Sequence, residues 1–320
     1  MSRIILFGEK DYIYRMETVV RDFLKKNVRH GYFRSYDNAR IHYYAIKHEN
    51  EKGVIVISHG FCDFFYKYHE MSYYFYELGY SVYFIDHRGH GYSQRMTSDI
   101  SKVYIQSYKQ YVDDLKCFMD KIVTRRSTSD NYILFAHSMG GAIGAMFLEM
   151  YPQYFKRAVL SSPLMKMKFK NLPYGIIYVV TKLAVLFGLE KEYAPGQYAF
   201  DGINIFEKSS SMSRKRYNYM FEARKCHRSF QTYGGTYAWT KASVMATRYI
   251  IRHAKNVKIP ILLCQAGCDS LVDSKGQNIF SEKSQNTTLK RFTYSKHEIF
   301  NATGSIRKRY YKEVFSFIKQ

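Results

Sequence analysis

Apolar positions along this chain follow two periods, and the switches between them outline the elements. Ile13, Met16, Val19, Val20, Phe23 and Leu24 recur at helical spacing, which predicts an amphipathic helix over residues 12–27. Residues 31–33 and 41–46 alternate instead and flank Asp37-Asn38, predicting two antiparallel strands joined by a turn. Beyond them the pattern repeats as a short apolar run, a turn of small residues and a helical stretch. The runs at 54–60, 81–86, 132–136, 157–161 and 261–265 are almost continuously apolar, as strands covered on both faces must be. Helices predicted over 68–78, 104–122 and 142–151 alternate with them, and a further strand is predicted over 289–294. Such alternation defines an α/β class with a mostly parallel, doubly wound sheet.

Between Pro163 and Lys258 the rhythm stops and Lys, Arg, Tyr and Met become frequent. Residues 1–163 and 259–320 are therefore expected to form one core in two parts, with 164–258 inserted as a cap. Within the insertion, 172–189 is apolar apart from Thr181 and Lys182, close to the roughly 20 residues of a membrane span. Pro173, Gly175 and the charge of Lys182 argue against spanning. What is left is a cap helix that lines an acyl pocket, rests at a membrane surface, or simply packs on the domain.

Composition narrows the partners rather than the fold. At 320 residues and 46% apolar content the chain has enough material for one large domain with an insertion. Its 49 basic and 27 acidic residues give a net charge of +22, which attracts anionic surfaces. No nucleic-acid motif accompanies the charge, so the expected partner is an anionic membrane contacted peripherally, not nucleic acid. The five cysteines, Cys62, Cys117, Cys226, Cys264 and Cys268, show no C-x-x-C pair and no histidine cluster at zinc spacing. Together with a start too short for a secretory signal, this gives a cytoplasmic protein at or near the inner membrane.

The chemistry centres on Ala136-His137-Ser138-Met139-Gly140, where a predicted strand breaks into small residues before a helix. A serine on such a turn projects above the sheet edge, and small neighbours let strand and helix approach. Ser138 is the candidate nucleophile, and the Met139 N–H at the helix start is placed to stabilise an oxyanion. The usual first glycine of this pattern is Ala136, small enough to keep the turn. A base and an orienting acid are needed to activate the serine. In this sheet class they follow in the order Ser, Asp or Glu, His. Asp269 and His297 each stand in a loop after a predicted strand; Asp273 competes with Asp269 but sits where a carboxylate caps a helix. The second oxyanion donor is expected from the loop after residues 54–58, as the Phe61 N–H beside Gly60. The loop Asp86-His87-Arg88-Gly89-His90-Gly91 matches no phosphate-binding pattern and is expected to be structural, with Asp86 and Arg88 serving turn backbone.

With His59-Gly60, residues 85–93, residues 111–115, residues 136–143, Tyr233 to Trp239 and His297-Glu298-Ile299 in place, the chain resembles the monoacylglycerol lipase branch of the α/β-hydrolases. Within it, the chain is most similar to bacterial lysophospholipases of the L-two type. The resemblance runs nearly end to end. It implies an α/β-hydrolase fold with a cap over the site, Ser138, Asp269 and His297 as nucleophile, acid and base, no metal or cofactor, and a single-chain lipid as substrate. Another esterase, peptidase or lactonase activity on the same chemistry, and a non-catalytic binding protein on the same scaffold, are the alternatives.

Overall fold

The computed structural model describes residues 4–169 and 173–320. Residues 1–3 and 170–172, the last of them Leu172 of the apolar run 172–189, lie outside the described residues. The sheet strands, in chain order, are β1 (Val28–Arg34), β2 (Arg40–Ile46), β3 (Gly53–Ser58), β4 (Tyr80–Ile85), β5 (Tyr132–His137), β6 (Arg157–Ser161), β7 (Ile261–Ala266) and β8 (Thr287–Phe292). They lie in the order β1-β2-β4-β3-β5-β6-β7-β8. β1 pairs antiparallel with β2 and β2 antiparallel with β4; every later pairing is parallel. This is the α/β-hydrolase fold.

The continuous apolar runs are explained by the two faces of the sheet. Val54, Val56, Tyr83, Ile85, Leu134 and Ala136 point to one core, while Ile55, Ile57, Val82, Phe84, Ile133 and Phe135 point to the other. Successive side chains of a strand alternate in direction, so both parities must be apolar when both faces are covered. The helices are α1 (His69–Glu77), α2 (Tyr108–Phe118), α3 (Met139–Met150), α4 (Tyr174–Leu186), α5 (Arg214–Cys226), α6 (Tyr237–His253), α7 (Ser274–Lys283) and α8 (Gly304–Ile318). Helices α2, α3 and α6 cover the first face. The N-terminal helix, continuous from Tyr12 through Asn27, covers the second with α1 and α8.

Two helix starts differ from the sequence pattern. α2 begins at Tyr108 rather than at 104, because Lys102 and Val103 pair in parallel with Gly234 and Gly235 and Ser107 and Gln110 form a capping box. α3 begins at Met139, immediately after Ser138, rather than at 142.

Residues 164–258 pack in two ways. α6 buries Trp239, Ala242, Ala246 and Ile250 in the first core, whereas α4 buries only Thr181 and Ala184. Ile176, Val179, Val180, Leu183 and Leu186 of α4 remain exposed. No helix among the described residues is long and apolar enough to cross a membrane.

Glu149, on α3, is buried, and neither carboxylate oxygen has a hydrogen-bond partner among the described residues. Burial pushes its acid up from 4.5 to about 9, since a charged carboxylate without partners is disfavoured there. Between those two values the folded chain holds one proton more than the unfolded chain. Stability therefore falls as pH rises, by at most about 1.4 kcal/mol per pH unit. Glu149→Met is expected to raise the urea midpoint at pH 8 and much less at pH 5; an equal shift at both would show that Glu149 is already charged in the fold.

Candidate active site

Ser138 directly follows β5 with φ 53° and ψ −116°, a region that non-glycine residues enter only when the surroundings hold them there. Here Ser138 N–H donates to Ser161 O at 3.0 Å, and Ser138 O accepts from Leu164 N–H at 2.8 Å and Ala142 N–H at 3.2 Å. Gly140 makes the turn possible: a Cβ there would lie 2.1 Å from Ser58 O and 2.5 Å from His59 O. The Ala136 methyl is accommodated by another glycine, because a Cβ at Gly144 would sit 3.1 Å from it. Alanine at 136 thus depends on Gly144 one turn into α3.

Asp269 lies in the loop after β7. Its Oδ1 accepts from Leu271 N–H (2.8 Å) and Val272 N–H (3.0 Å), and its Oδ2 bonds His297 Nδ1 at 2.6 Å. Burial alone would push this carboxyl up, yet the His297 bond and charge and the two backbone N–H groups hold it below the ordinary value. Asp273, the competing acid, caps α7 through Lys275 N–H (3.0 Å) and pairs with Lys166 (2.9 Å). With its Nδ1–H donated to Asp269, His297 keeps Nε2 as an acceptor; that atom is buried and has no hydrogen-bond partner among the described residues. Ser162, at φ 45°, donates its hydroxyl to His297 O at 2.7 Å. The loop after β6 therefore grips Ser138 through Leu164 and His297 through Ser162. His137, beside the serine, turns to Ser161 O at 3.0 Å.

The loop after β3 passes against the serine: a Cβ at Gly60 would be 3.3 Å from Ser138 Cβ and 3.0 Å from His137 Cδ2. Phe61 follows, its ring 4.2 Å from that of Trp239, and Met139 opens α3 on the other side of Ser138. The loop is fixed by a buried charge cluster. Asp63 Oδ2 accepts from Gly60 N–H (3.1 Å) and Tyr68 OH (2.8 Å). Asp63 Oδ1 pairs with Lys67, which also bonds Glu298 Oε1 at 2.7 Å. Glu298 Oε2 in turn accepts from Asn301 at 2.9 Å. Lys67 therefore joins the loop after β3 to the residue following His297.

Asp63, Lys67 and Glu298 carried no role in the sequence reading. The i,i+4 spacing of Asp63 and Lys67 was visible, but their partner 231 residues away has no local signal. For Arg88 the expectation is corrected. Its guanidinium pairs with Asp114 (2.6 Å) and Asp37 (2.8 Å) instead of the turn backbone, since a fully buried guanidinium demands carboxylates. Asp86 does serve the turn, accepting from Tyr92 N–H at 3.1 Å.

The stretch that carries the serine turn, Asp269 and His297 falls within the reach of a family model. The model described as serine aminopeptidase S33 matches residues 49–303. The chain belongs to this family of hydrolases. The probable lysophospholipase L2 of Haemophilus influenzae is 27% identical over 265 residues, covering 83% of each chain. Lysophospholipase L2 of Escherichia coli is 27% identical over 250 residues, 78% of this chain and 73% of that protein. A soluble variant of the monoglyceride lipase of Saccharomyces cerevisiae, solved with a substrate analogue, superposes with a TM-score of 0.72 at 17% identity. That match covers 91% of this chain and 94% of the other and shows the shared fold.

Lys67 compensates two buried carboxylates, and the acids of both Asp63 and Glu298 lie below their ordinary values. Burial, the largest single cause, pushes each up, and the charge and hydrogen bond of Lys67, joined by the nearby histidines at Asp63 and by the Asn301 bond at Glu298, together reverse it. Their contribution is present above the ordinary carboxylate range and is lost as pH falls below it. Lys67→Met strands both charges, and the expected loss is about 3–5 kcal/mol of unfolding free energy. Adding Asp63→Asn and Glu298→Gln should recover much of it; a single-variant loss below about 1 kcal/mol, the level of an exposed pair, would mean the cluster is hydrated.

Proposed function

We propose that this chain hydrolyses the acyl ester of single-chain lipids, lysophospholipids or monoacylglycerols, through an acyl-enzyme on Ser138. The observation that carries this is the 2.6 Å bond of Asp269 to His297, which leaves His297 Nε2 unpartnered beside the loop that holds Ser138. His297 Nε2 takes the Ser138 hydroxyl proton as Oγ attacks the ester carbonyl carbon. The oxyanion is held by the N–H groups of Met139 and Phe61, aided by the α3 dipole. The proton passes to the departing glycerol oxygen as the ester C–O bond breaks. Water, deprotonated by His297, then attacks the acyl carbon and frees the fatty acid, returning the proton to Ser138. The names of the H. influenzae and E. coli relatives support the lipid substrate. The family description favours one second reading, peptide hydrolysis by the same residues.

Residues 164–258 supply the cap in this reading. The exposed apolar face of α4, on a strongly basic chain, fits a peripheral contact with an anionic membrane surface, each near-surface cation adding about 1 kcal/mol. With that contact we propose a cytoplasmic location at the inner membrane.

A fluorophosphonate should label the folded protein, and Ser138→Ala should abolish both labelling and lipid hydrolysis, by about 10⁴-fold or more. An unlabelled folded protein, or peptides cleaved in preference to lysophosphatidylcholine and monoacylglycerol, would overturn the lipid ester reading. The membrane contact predicts that the protein sediments with phosphatidylglycerol vesicles and that the double variant Val179→Asp/Leu186→Asp does not, while hydrolysis of a soluble short ester persists. Equal sedimentation of both proteins would remove α4 from the contact.

A further inference from the structure

Four arginines of the described chain are buried: Arg88, Arg216, Arg224 and Arg307. Three of them have carboxylates. Arg88 pairs with Asp114 and Asp37, and Arg216 and Arg307 both hold Glu70, at 2.9 and 2.5 Å. Arg224 is the exception, 8% exposed and with no ion-pair partner among the described residues. Its Nε donates to Phe230 O at 3.2 Å and its Nη2 to Cys62 O at 2.5 Å. Aromatic faces surround the rest of the guanidinium, with its carbon 5.3 Å from the Phe64 ring centre and 5.7 Å from that of Tyr233. Carbonyls and rings relieve part of the cost of burying that charge, but an anion is what a buried guanidinium ordinarily receives.

Arg224 lines a cavity of about 280 Å³ between the loop after β3 and the segment 198–233, and Phe61, Asp201, Lys208 and Tyr198 line the same cavity. Lys67 also faces it but is committed to Asp63 and Glu298. Asp201 has no ion-pair partner among the described residues; one of its oxygens accepts from Ile203 N–H at 2.9 Å. Its charge raises the phenols of Tyr217 and Tyr233, whose burial is the larger cause, while Arg224 opposes it. The rings of Tyr198 and Tyr233 lie 5.5 Å apart on the cavity wall. One cavity is therefore lined by a guanidinium and a carboxylate that each lack an ion-pair partner among the described residues, together with the rings of Tyr198 and Tyr233.

We infer that this cavity binds the headgroup of a zwitterionic lysophospholipid, with the phosphodiester on Arg224 and Lys208 and the ammonium on Asp201 between the tyrosine rings. Arginine suits phosphate oxygens, and an ammonium over aromatic faces beside a carboxylate is favourable. The position agrees with the chemistry proposed at Ser138, on which this inference rests. Arg224 bonds the carbonyl of Cys62, one residue beyond the oxyanion donor Phe61, and a lysophospholipid carries its phosphodiester one glycerol away from the ester. A monoacylglycerol brings neither charge and gains nothing from the cavity.

The site is tested apart from turnover by titrating glycerophosphoethanolamine and glycerophosphoglycerol into the Ser138→Ala protein. Both should bind; Arg224→Gln in that background should abolish both, and Asp201→Asn should weaken glycerophosphoethanolamine alone. In the active protein, Asp201→Asn should raise KM for lysophosphatidylethanolamine about ten-fold at unchanged kcat, with monoacylglycerol kinetics kept within two-fold. Absence of headgroup binding, or an equal loss on both lipids in Asp201→Asn and Arg224→Gln alike, would overturn the site and reduce Arg224 to a support of the Cys62 carbonyl. Headgroup binding by a protein whose active form cleaves no lipid would uphold the site and overturn the hydrolase reading instead.

Discussion

The approach of α3 to the end of β3 sets the geometry of the whole C-terminal sheet edge. Gly140 lies so close to the carbonyls of Ser58 and His59 that a methyl group would overlap them, at 2.1 and 2.5 Å. Because the helix must start there, the chain turns within one residue, and that residue is Ser138 with positive φ. The same closeness brings Gly60 and Phe61 alongside the serine. Ser58 reinforces the junction by bonding Gly140 O (3.3 Å) and His87 (2.8 Å), and His59 accepts from His87 N–H at 3.0 Å. Burial lowers the basicity of His59 and His87, so both serve as neutral linkers between the exits of β3 and β4.

Around this apolar and neutral junction, charge is buried in closed groups that join distant parts of the chain. Glu70 on α1 receives Arg216 from α5 and Arg307 from α8, and the same two arginines donate to Phe7 O. The Asp63, Lys67 and Glu298 group joins the loop after β3 to the loop that carries His297. Pairs of this kind contribute little net stability against an apolar alternative, since desolvation offsets attraction. Each does require its partners at one distance and orientation, and removing one leaves a buried charge. Their consequence here is register: α5, α8 and the amino-terminal segment meet at one carboxylate.

What the sequence disclosed and what it hid divide along physical lines. The apolar runs identified the strands because a doubly covered strand needs both parities apolar, and the serine turn was legible because small residues around Ser138 have a steric cause. Asp269 was separable from Asp273 because the latter stood at a helix start, where it indeed caps. The start of α2 was misplaced: Tyr104 and Ile105 mimic a helical period, while the pairing of Val103 with Gly235 that displaces the helix lies 132 residues away. Arg88, Lys67 and Glu298 escaped for the same reason, since an ion pair between remote segments leaves no periodicity. The packing of α6 into the core was hidden too, because its spacing of Trp239, Ala242, Ala246 and Ile250 shows an apolar face but not what covers it.

The contacts of Phe61 bear on how specificity and rate are coupled in this fold. Its ring rests on Trp239 of α6, the next carbonyl, Cys62 O, is held by Arg224 of α5, and Asp63 is held by Lys67. Cys62 itself has φ 58°, so the loop sits in a conformation that its neighbours must maintain. Two of those three supports come from residues 164–258, the segment that differs most from the regular core. In the proposed mechanism, replacing Trp239 or Arg224, which bear directly on this loop, also shifts the Phe61 N–H against the developing oxyanion, where a displacement of a few tenths of an ångström weakens a hydrogen bond. In that mechanism substrate preference and kcat are joined at these two supports of the loop, even though Ser138, Asp269 and His297 are left untouched.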